Sequence, residues 1–390
     1  MSKLKDALKV GIPIGAVFVG IQASAALATG SYGTNYYMAY GVKGLFLGLF
    51  QALFLFIFFF SGFSHIRSVN ENLPEGEKVY DYSSLASALY GKYSPVLLPL
   101  YELWQLLTVV VTGAGVIASG VTVLQTFVPI PTLLAAIIFG AVILLLAIFG
   151  EEVVRRASTG LSIAFFVVIF LFLFIIFREK GDIIGKMLTE NWNPDPDPGF
   201  GAGVFKMFTL TCASTAWSIG IGAVAQKMTK RSHAVAAALT AGIGAVIMMV
   251  ATAFIVMPFC PDVLKDAAPI VTIVELMRSS APALAALYYI LLVLALVSTG
   301  GPALFVFARR FGKLFHATGK FKNRRLVDIL LAGFCVALCI AMSLLGLRTI
   351  VAQWYQYLGY IGMTVCIVPL VIIWPVLRSR GVIPRVYKKK

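Results

Sequence analysis

Long apolar runs alternate with short polar breaks along the whole of this chain. A helix rises 1.5 Å per residue and the hydrocarbon core of a bilayer is about 30 Å thick, so roughly 20 apolar residues make one crossing. By that rule the pattern predicts ten crossing segments, near 8–31, 42–66, 94–127, 131–149, 158–177, 204–226, 233–257, 281–309, 326–346 and 350–377. The third and tenth are long enough to tilt or to project from the membrane.

The stretch "REKGDIIGKMLTENWNPDPDPGFGAG" separates the fifth segment from the sixth, and its Pro and Asp content excludes a crossing. It divides the chain into a first repeat, 1–177, an extracellular loop, 178–203, and a second repeat, 204–377, followed by a basic tail, 378–390. Five crossings per half is an odd number, so the second half enters the membrane upside down relative to the first. The expected fold is an all-α membrane protein built as a 5+5 inverted repeat, a common transporter plan.

Composition agrees. Of 390 residues, 59% are hydrophobic and 13% charged, against roughly 45–50% and about 25% in a soluble domain. No single globular core absorbs that excess, whereas lipid does. The N-terminus, a basic start and then an apolar stretch, imitates a signal peptide, but its apolar run is too long for one, and nine further segments follow.

The net charge of +15 would suggest nucleic acid in a soluble protein. Here the basic residues lie between apolar runs, and topology accounts for them. On the side of the N-terminus fall 24 of the 32 Lys and Arg, including the loop "RRFGKLFHATGKFKNRR" and the tail. Both termini are therefore expected in the cytoplasm, and the protein in the cell (inner) membrane. His65, His233 and His316 lie in or beside the cytoplasmic loops and read as surface residues. Four cysteines lie inside apolar runs as small fillers and Cys260 has no loop partner, so neither a disulfide nor a thiolate metal site is expected.

Three segments depart from the Leu- and Ile-rich pattern of a lipid-facing helix. The first carries Gly20, Ser24, Ala25, Ala26, Thr29, Gly30, Ser31 and Gly33. Small residues there permit either an unwound turn lining a cavity or close packing of two helices. The sixth, "FTLTCASTAWSIGIGAVAQ", gathers Thr209, Thr211, Cys212, Ser214, Thr215 and Ser218 around Trp217. Two interrupted segments at matching positions of two halves point to a binding site between them. The eighth holds adjacent hydroxyls, Ser298 and Thr299, before Gly300-Gly301-Pro302. Two hydroxyl oxygens with nearby carbonyls suit a small hard cation, or they bond back to their own helix.

Glu102 is a carboxylate well inside a segment, which makes it a functional candidate or an acid reaching the inner interface. Gln105 and Thr108 continue its face toward the membrane centre. A nucleotide-binding loop, a nucleophile elbow and an HExxH pattern are absent from the sequence, so neither direct use of ATP nor an enzyme activity is expected.

The first segment, "SAALATGSYGTNYYMAYGVKGLF", resembles the corresponding motif of the YkvI-like membrane proteins of the amino acid–polyamine–organocation superfamily. That motif reads roughly Gly-Ala-Gly-Phe/Tyr-Ala-Thr/Ser-Gly-Arg/Gln-Glu, then two aromatics, then Tyr-Gly. Ser24 to Gly30 take the first places, Tyr36 and Tyr37 the aromatics, and Tyr40-Gly41 the end. Ser24 and Ala26 replace the two motif glycines, Tyr32 the glutamate, and Asn35 a second acid common in the group, so no role of those acids carries over.

The resemblance implies the leucine-transporter fold and a symporter of a small organic solute, an amino acid or an amine or betaine-type relative. It implies a sodium ion held by the Ser298 and Thr299 hydroxyls and by carbonyls of Ala295, Ile21 and Ser24, with no organic cofactor. N–H groups of Ala25, Ala26 and Leu27 would hold a substrate carboxylate, helped by the half-helix dipole. Gln22, Ser24, Gln105, Thr108, Cys212, Ser214, Thr215 and Trp217 complete the candidate substrate set. Three alternatives stay open: proton coupling through Glu102, an amino-acid-sensing membrane subunit of the germinant-receptor type, and a passive channel without coupling-ion dependence.

The ten-crossing plan is tested by labelling single cysteines. Asp195→Cys is expected to react from outside the cell and Lys320→Cys only from inside; reaction of both from one side would refute the inverted plan.

Overall fold

The computed structural model describes residues 2–22, 24–71, 73–149, 151–279, 282–290, 292, 293, 295, 296, 300, 311, 312 and 323–380. Among them every regular element is helical. In chain order these are α1 (Ser2–Gln22), α2 (Ala25–Ala28), α3 (Leu47–Asn70), α4 (Tyr82–Tyr90), α5 (Ser94–Phe127), α6 (Thr132–Phe149) and α7 (Glu151–Thr189). The second half holds α8 (Phe200–Ser214), α9 (Ala216–Gly220), α10 (Arg231–Val256), α11 (Pro269–Met277), the described residues of 282–300 as α12, and α13 (Arg324–Ser343). A last helical run, Leu347–Ser379, is α14. Five of these runs are long and apolar enough to cross a membrane by themselves: those that contain α3, α5, α10, α13 and α14.

Both opening helices of the two halves are broken. α1 ends at Gln22, and Ser24 is extended with φ −90° and ψ 175° before α2 starts. α8 ends at Ser214; around it Thr215 N–H donates to Cys212 O at 3.3 Å and Ser218 N–H to Thr215 O at 3.0 Å, three residues back instead of four. Beyond α2 the first crossing continues as a π turn, Gly33–Tyr37, and a tight turn, Met38–Tyr40. It therefore runs from residue 2 to 40, past both ends expected for it.

The small residues of the first crossing serve close packing as well as the break. α1 lies along α10, where a Cβ on Gly11 would come within 2.5 Å of Ala236 Cβ and one on Gly15 within 2.4 Å of Ala237 O. Glycines spaced four apart let two backbones approach this way. Gly33 meets the Thr252 backbone similarly. Gly30, at φ +82°, turns the chain under Ile270 of α11.

Two elements differ from expectation. α7 continues to Thr189 rather than ending near 177, because "DIIGKML" places Ile184 and Met187 on a buried face and the Pro- and Asp-rich loop begins only after Asn191. α11 was not expected, since its nine residues are too short to register as a crossing. It caps the first crossing: Ile270 N–H donates to Thr29 O at 2.9 Å, and Ser31 Oγ to Ala267 O at 2.6 Å.

The histidines correct the surface reading. His65 is fully buried, its Nε2 2.9 Å from Leu85 O of α4 and its ring against Trp374. His233 is buried with Nε2 3.0 Å from Asp6 Oδ2, which also accepts from Lys230 Nζ at 2.7 Å. Loop-flanking positions became covered because α4 and the start of α1 fold back over the helix ends. His316 lies outside the described residues.

α14 packs on α8 so closely that a Cβ on Gly359 would sit 2.1 Å from Thr209 O, whereas Gly333 of α13 has open space. Gly359→Ala is expected to cost about 1–3 kcal/mol through overpacking. Gly333→Ala is expected to be neutral or to stabilise by up to about 1 kcal/mol. Thermal unfolding in detergent measures both, and a larger loss for Gly333→Ala would contradict this packing.

Candidate functional site

The two breaks face each other. Gln22, the last residue of α1, donates from Nε2 to Ser214 Oγ at the end of α8, 3.2 Å away. Between the breaks lies a cavity of about 50 Å³. About 10–15 Å³ holds one water, so this space takes a few waters or part of a small solute. The first crossing lines it with Ile21, Gln22, Ser24 and Tyr32, α5 with Thr108 and Thr112. α8 and α9 contribute Leu210, Ala213, Ser214 and Trp217, and α14 contributes Tyr355 and Leu358. The lining contains hydroxyls, one amide and aromatic faces, and no acidic or basic side chain.

Ser24 stands out in that lining. It is 7% exposed, and its Oγ lies near the Tyr32 hydroxyl without a hydrogen bond of ordinary geometry to any protein atom. An orphaned buried hydroxyl costs about 1–3 kcal/mol, so such groups in native proteins call for a partner such as a ligand or a water. The other hydroxyls are spent locally: Thr108 Oγ1 donates to Trp104 O at 2.9 Å, and Ser214 Oγ to Leu210 O at 3.1 Å.

The structure sorts the predicted residues. Gln22, Ser24, Thr108, Ser214 and Trp217 share the cavity. Ala25, Ala26 and Leu27 are buried in α2 beside it, where the start of a helix leaves their N–H groups without intrahelical acceptors. Gln105 is outside the lining; its Nε2 donates to Tyr101 OH at 2.9 Å and to Ala216 O at 3.2 Å, stitching α5 to α9. Cys212 points away, among Phe58 and Ile367. Thr215 bonds back to Cys212 O at 2.5 Å. Glu102 accepts from Tyr82 OH of α4 at 2.8 Å and is not part of the cavity wall.

Of the expected ion ligands, Ile21 and Ser24 are at the cavity and Ala295 is buried in α12. Tyr288 OH of α12 donates to Ala28 O at 2.6 Å, which brings the eighth crossing against α2. Ser298 and Thr299 lie outside the described residues. Sequence reasoning missed Tyr32, Thr112, Tyr355 and Leu358. Tyr32 was noted only as a departure from a motif, and nothing in the tenth segment's pattern singles out Tyr355.

On the side away from the N-terminus, a hydrogen-bonded layer lies beyond the cavity wall. Gln356 Nε2 donates to Tyr36 OH at 3.1 Å and to Lys206 O at 3.3 Å, while its Oε1 accepts from the Thr209 hydroxyl. Tyr36 OH in turn donates to Val351 O at 2.8 Å. One side chain of α14 thereby joins the first crossing, α8 and α14. Further out, Lys43 pairs with Asp197, and that contact, with the Gly199 N–H, holds the Asp197 carboxyl below the usual carboxylate range.

No protein family and no curated protein matches the chain at the level of sequence. Solved structures do match. The inward-facing structure of Mhp1 superposes with a TM-score of 0.66 at 13% identity, over 97% of this chain and 80% of that one. A closed structure of Mhp1, a nucleobase-cation-symport-1 family transporter, with bromovinylhydantoin bound gives 0.57 at 15% identity, over 95% and 78%. A manganese transporter of Eremococcus coleocola, in complex with an aromatic bis-isothiourea substituted compound, gives 0.59 at 14% identity, over 98% and 82%. The chain is thus an all-α, multi-pass membrane protein. Its fold is the one these transporters share, the leucine-transporter fold, and among the described residues its first crossing and the α8–α9 crossing are both broken.

Gln356→Ala removes the hub of the closing layer. Loss of about 1–3 kcal/mol of hydrogen bonding from the closed arrangement is expected to raise the labelling rate of a cysteine at Leu210, from the far side, by roughly 5- to 150-fold. An unchanged rate would mean that the layer does not hold the cavity shut.

Proposed function

We propose that this protein is a secondary active transporter that carries a small organic solute by alternating access. The observation that carries the reading is the cavity between two helix breaks, walled by both halves and holding the orphaned Ser24 hydroxyl. A site at the repeat interface stays fixed while the halves rock around it, so it can open to either side in turn. The solute's carboxylate meets the Ser24 hydroxyl and the first N–H groups of α2 at Ala25, Ala26 and Leu27, and Trp217, Tyr32 and Tyr355 cover its body.

The substrate class we propose, an amino acid or an amine or betaine-type derivative, rests on the resemblance to YkvI-like proteins. Among the described residues no three His, Cys, Asp or Glu side chains come together, which favours an organic solute over a metal cargo. The charge bias supports cytoplasmic termini in the inner membrane, with the Gln356 layer facing outward.

Sodium is the coupling ion in this reading, held by Ser298 and Thr299 hydroxyls with backbone oxygens of Ala295, Ile21 and Ser24. The close approach of α12 to α2 at Tyr288 supports it. A second reading is proton coupling through Glu102, favoured by its hydrogen bond with Tyr82 at the N-terminal side of α5.

Losing a hydroxyl ligand costs about 1–3 kcal/mol, so Ser298→Ala and Thr299→Ala are each expected to weaken apparent sodium affinity roughly 5- to 150-fold. Because coupling is reciprocal, solute affinity at limiting sodium falls with it. Sodium-dependent uptake into proteoliposomes measures both. Uptake driven equally well by a proton gradient without sodium would remove the ion site and leave Glu102 as the coupling group.

A further inference from the structure

The far side of the cavity carries charge that the site itself lacks. On α8, Leu210, Ala213 and Ser214 line the cavity. Lys206 precedes Leu210 by one helical turn on the same face, so it stands about 6 Å further out. Its ammonium lies 5.2 Å from the Tyr36 ring centre, at the level of the Gln356 layer. Arg348, exposed at the start of α14, is close enough to Lys206 for the two charges to repel.

Among the described residues neither cation is paired with a carboxylate. Elsewhere on this face Lys43 pairs with Asp197, Lys186 with Glu190 and Arg278 with Glu275. Two like charges near one another repel, and an anion passing between them relieves that repulsion. Just below them the cavity offers hydroxyls and an orphaned Ser24 Oγ, and no carboxylate to balance an organic cation.

We propose that Lys206 and Arg348 form a cationic approach to the cavity that draws in a carboxylate-bearing solute of net negative charge and turns organic cations away. The idea rests on the cavity being a solute site and, within the proposed class, favours carboxylate-bearing members of net negative charge over amines and betaines. Lys206 acts at the threshold: when the Gln356 layer opens, its ammonium is the last charge a solute passes before Ser24. Clefts lined by one sign of charge raise the local concentration of the opposite ion, by about 10- to 1000-fold in on-rate, and salt removes the effect.

The test uses the full chain with its five native cysteines replaced and one reporter, Leu210→Cys, or Ala213→Cys if the first protein does not fold. The probes are a sulfonate-bearing and a trimethylammonium-bearing methanethiosulfonate of similar size, applied from the Lys206 side. Each rate is normalised to the same reagent reacting with a small free thiol. The expected result is a preference for the anionic reagent of about tenfold, within the steering range. It should collapse toward unity in Lys206→Gln, fall in part in Arg348→Gln, persist in Lys206→Arg and vanish at 1 M salt.

Preference for the cationic reagent, a preference unmoved by Lys206→Gln, or no reaction with either reagent would overturn the proposal. Counterflow of pyruvate, L-alanine and choline in proteoliposomes separates this idea from the transport reading. Anion-selective labelling without counterflow of any of the three leaves the cationic approach standing and removes transport. Counterflow of choline in preference to pyruvate leaves transport standing and removes the anion preference.

Discussion

A peptide group at membrane depth has no water to bond, so a helix can break there only where the freed N–H and C=O groups find other partners. Around Ser24 and Thr215 the chain meets that demand in three ways. Side chains cross from one break to the other, as Gln22 does to Ser214. Hydroxyls bond back into the helix, as Thr215 does to Cys212 and Ser218 to Thr215. Neighbouring elements come close enough to donate, as Tyr288 does to Ala28 and Ile270 to Thr29. What these partners leave unmet, the Ser24 hydroxyl at the start of α2, is where a ligand has something to gain.

The packing that supports the breaks depends on missing side chains. Gly11 and Gly15 bring α1 onto α10, Gly62 lets α3 approach Ser218, and Gly359 lets α14 lie on Thr209. In lipid no hydrophobic force pulls helices together, so close van der Waals contact and hydrogen bonds between backbones carry association. A broken helix is held in register by such neighbours rather than by its own ladder. The far-side layer around Gln356 is different in kind. It is made largely of side-chain hydrogen bonds among three elements, and it borders the seam where Gly359 meets Thr209.

Charge is distributed by a different logic on the two sides. On the N-terminal side Asp6 joins Lys230 and His233, tying the start of α1 to the start of α10, the same pair of helices whose glycines pack together. On the far side most described pairs are local or link loops, and among the described residues Lys206 and Arg348 are not paired with an acid. The cavity between them is lined by uncharged side chains, apolar ones with a few hydroxyls and one amide, so the charged side chains that act on it lie outside it.

How much of this was legible in the sequence follows from the range of each force. Run length against membrane thickness is a local property, and it placed α5 and α6 within a residue, while the first crossing and α7 run past the ends expected for them. Clusters of Gly, Ala, Ser and Thr marked both breaks, because backbone freedom depends on the residue that carries it. Of the candidate residues, Ser24, Ser214 and Trp217 follow from those clusters and Thr108 from the polar face it shares with Glu102, and they line the cavity together with Gln22. Direction around a helix was harder: neighbouring residues point about 100° apart, and so Cys212 turned to Phe58 while Ser214 faced the cavity. Tyr355 and Leu358 belong to the wall only because α14 lies on α8 some 150 residues from them in sequence, a juxtaposition set by Gly359 against the Thr209 backbone. The burial of His65 and His233, the cap formed by α11 and the meeting of Lys206 with Arg348 were likewise decided by tertiary structure. The sequence by itself determined that the chain lies in a membrane and where its helices give way. Which side chains meet at those places was left to packing, because contact between distant segments depends on the shapes of both partners and neither segment carries that information alone.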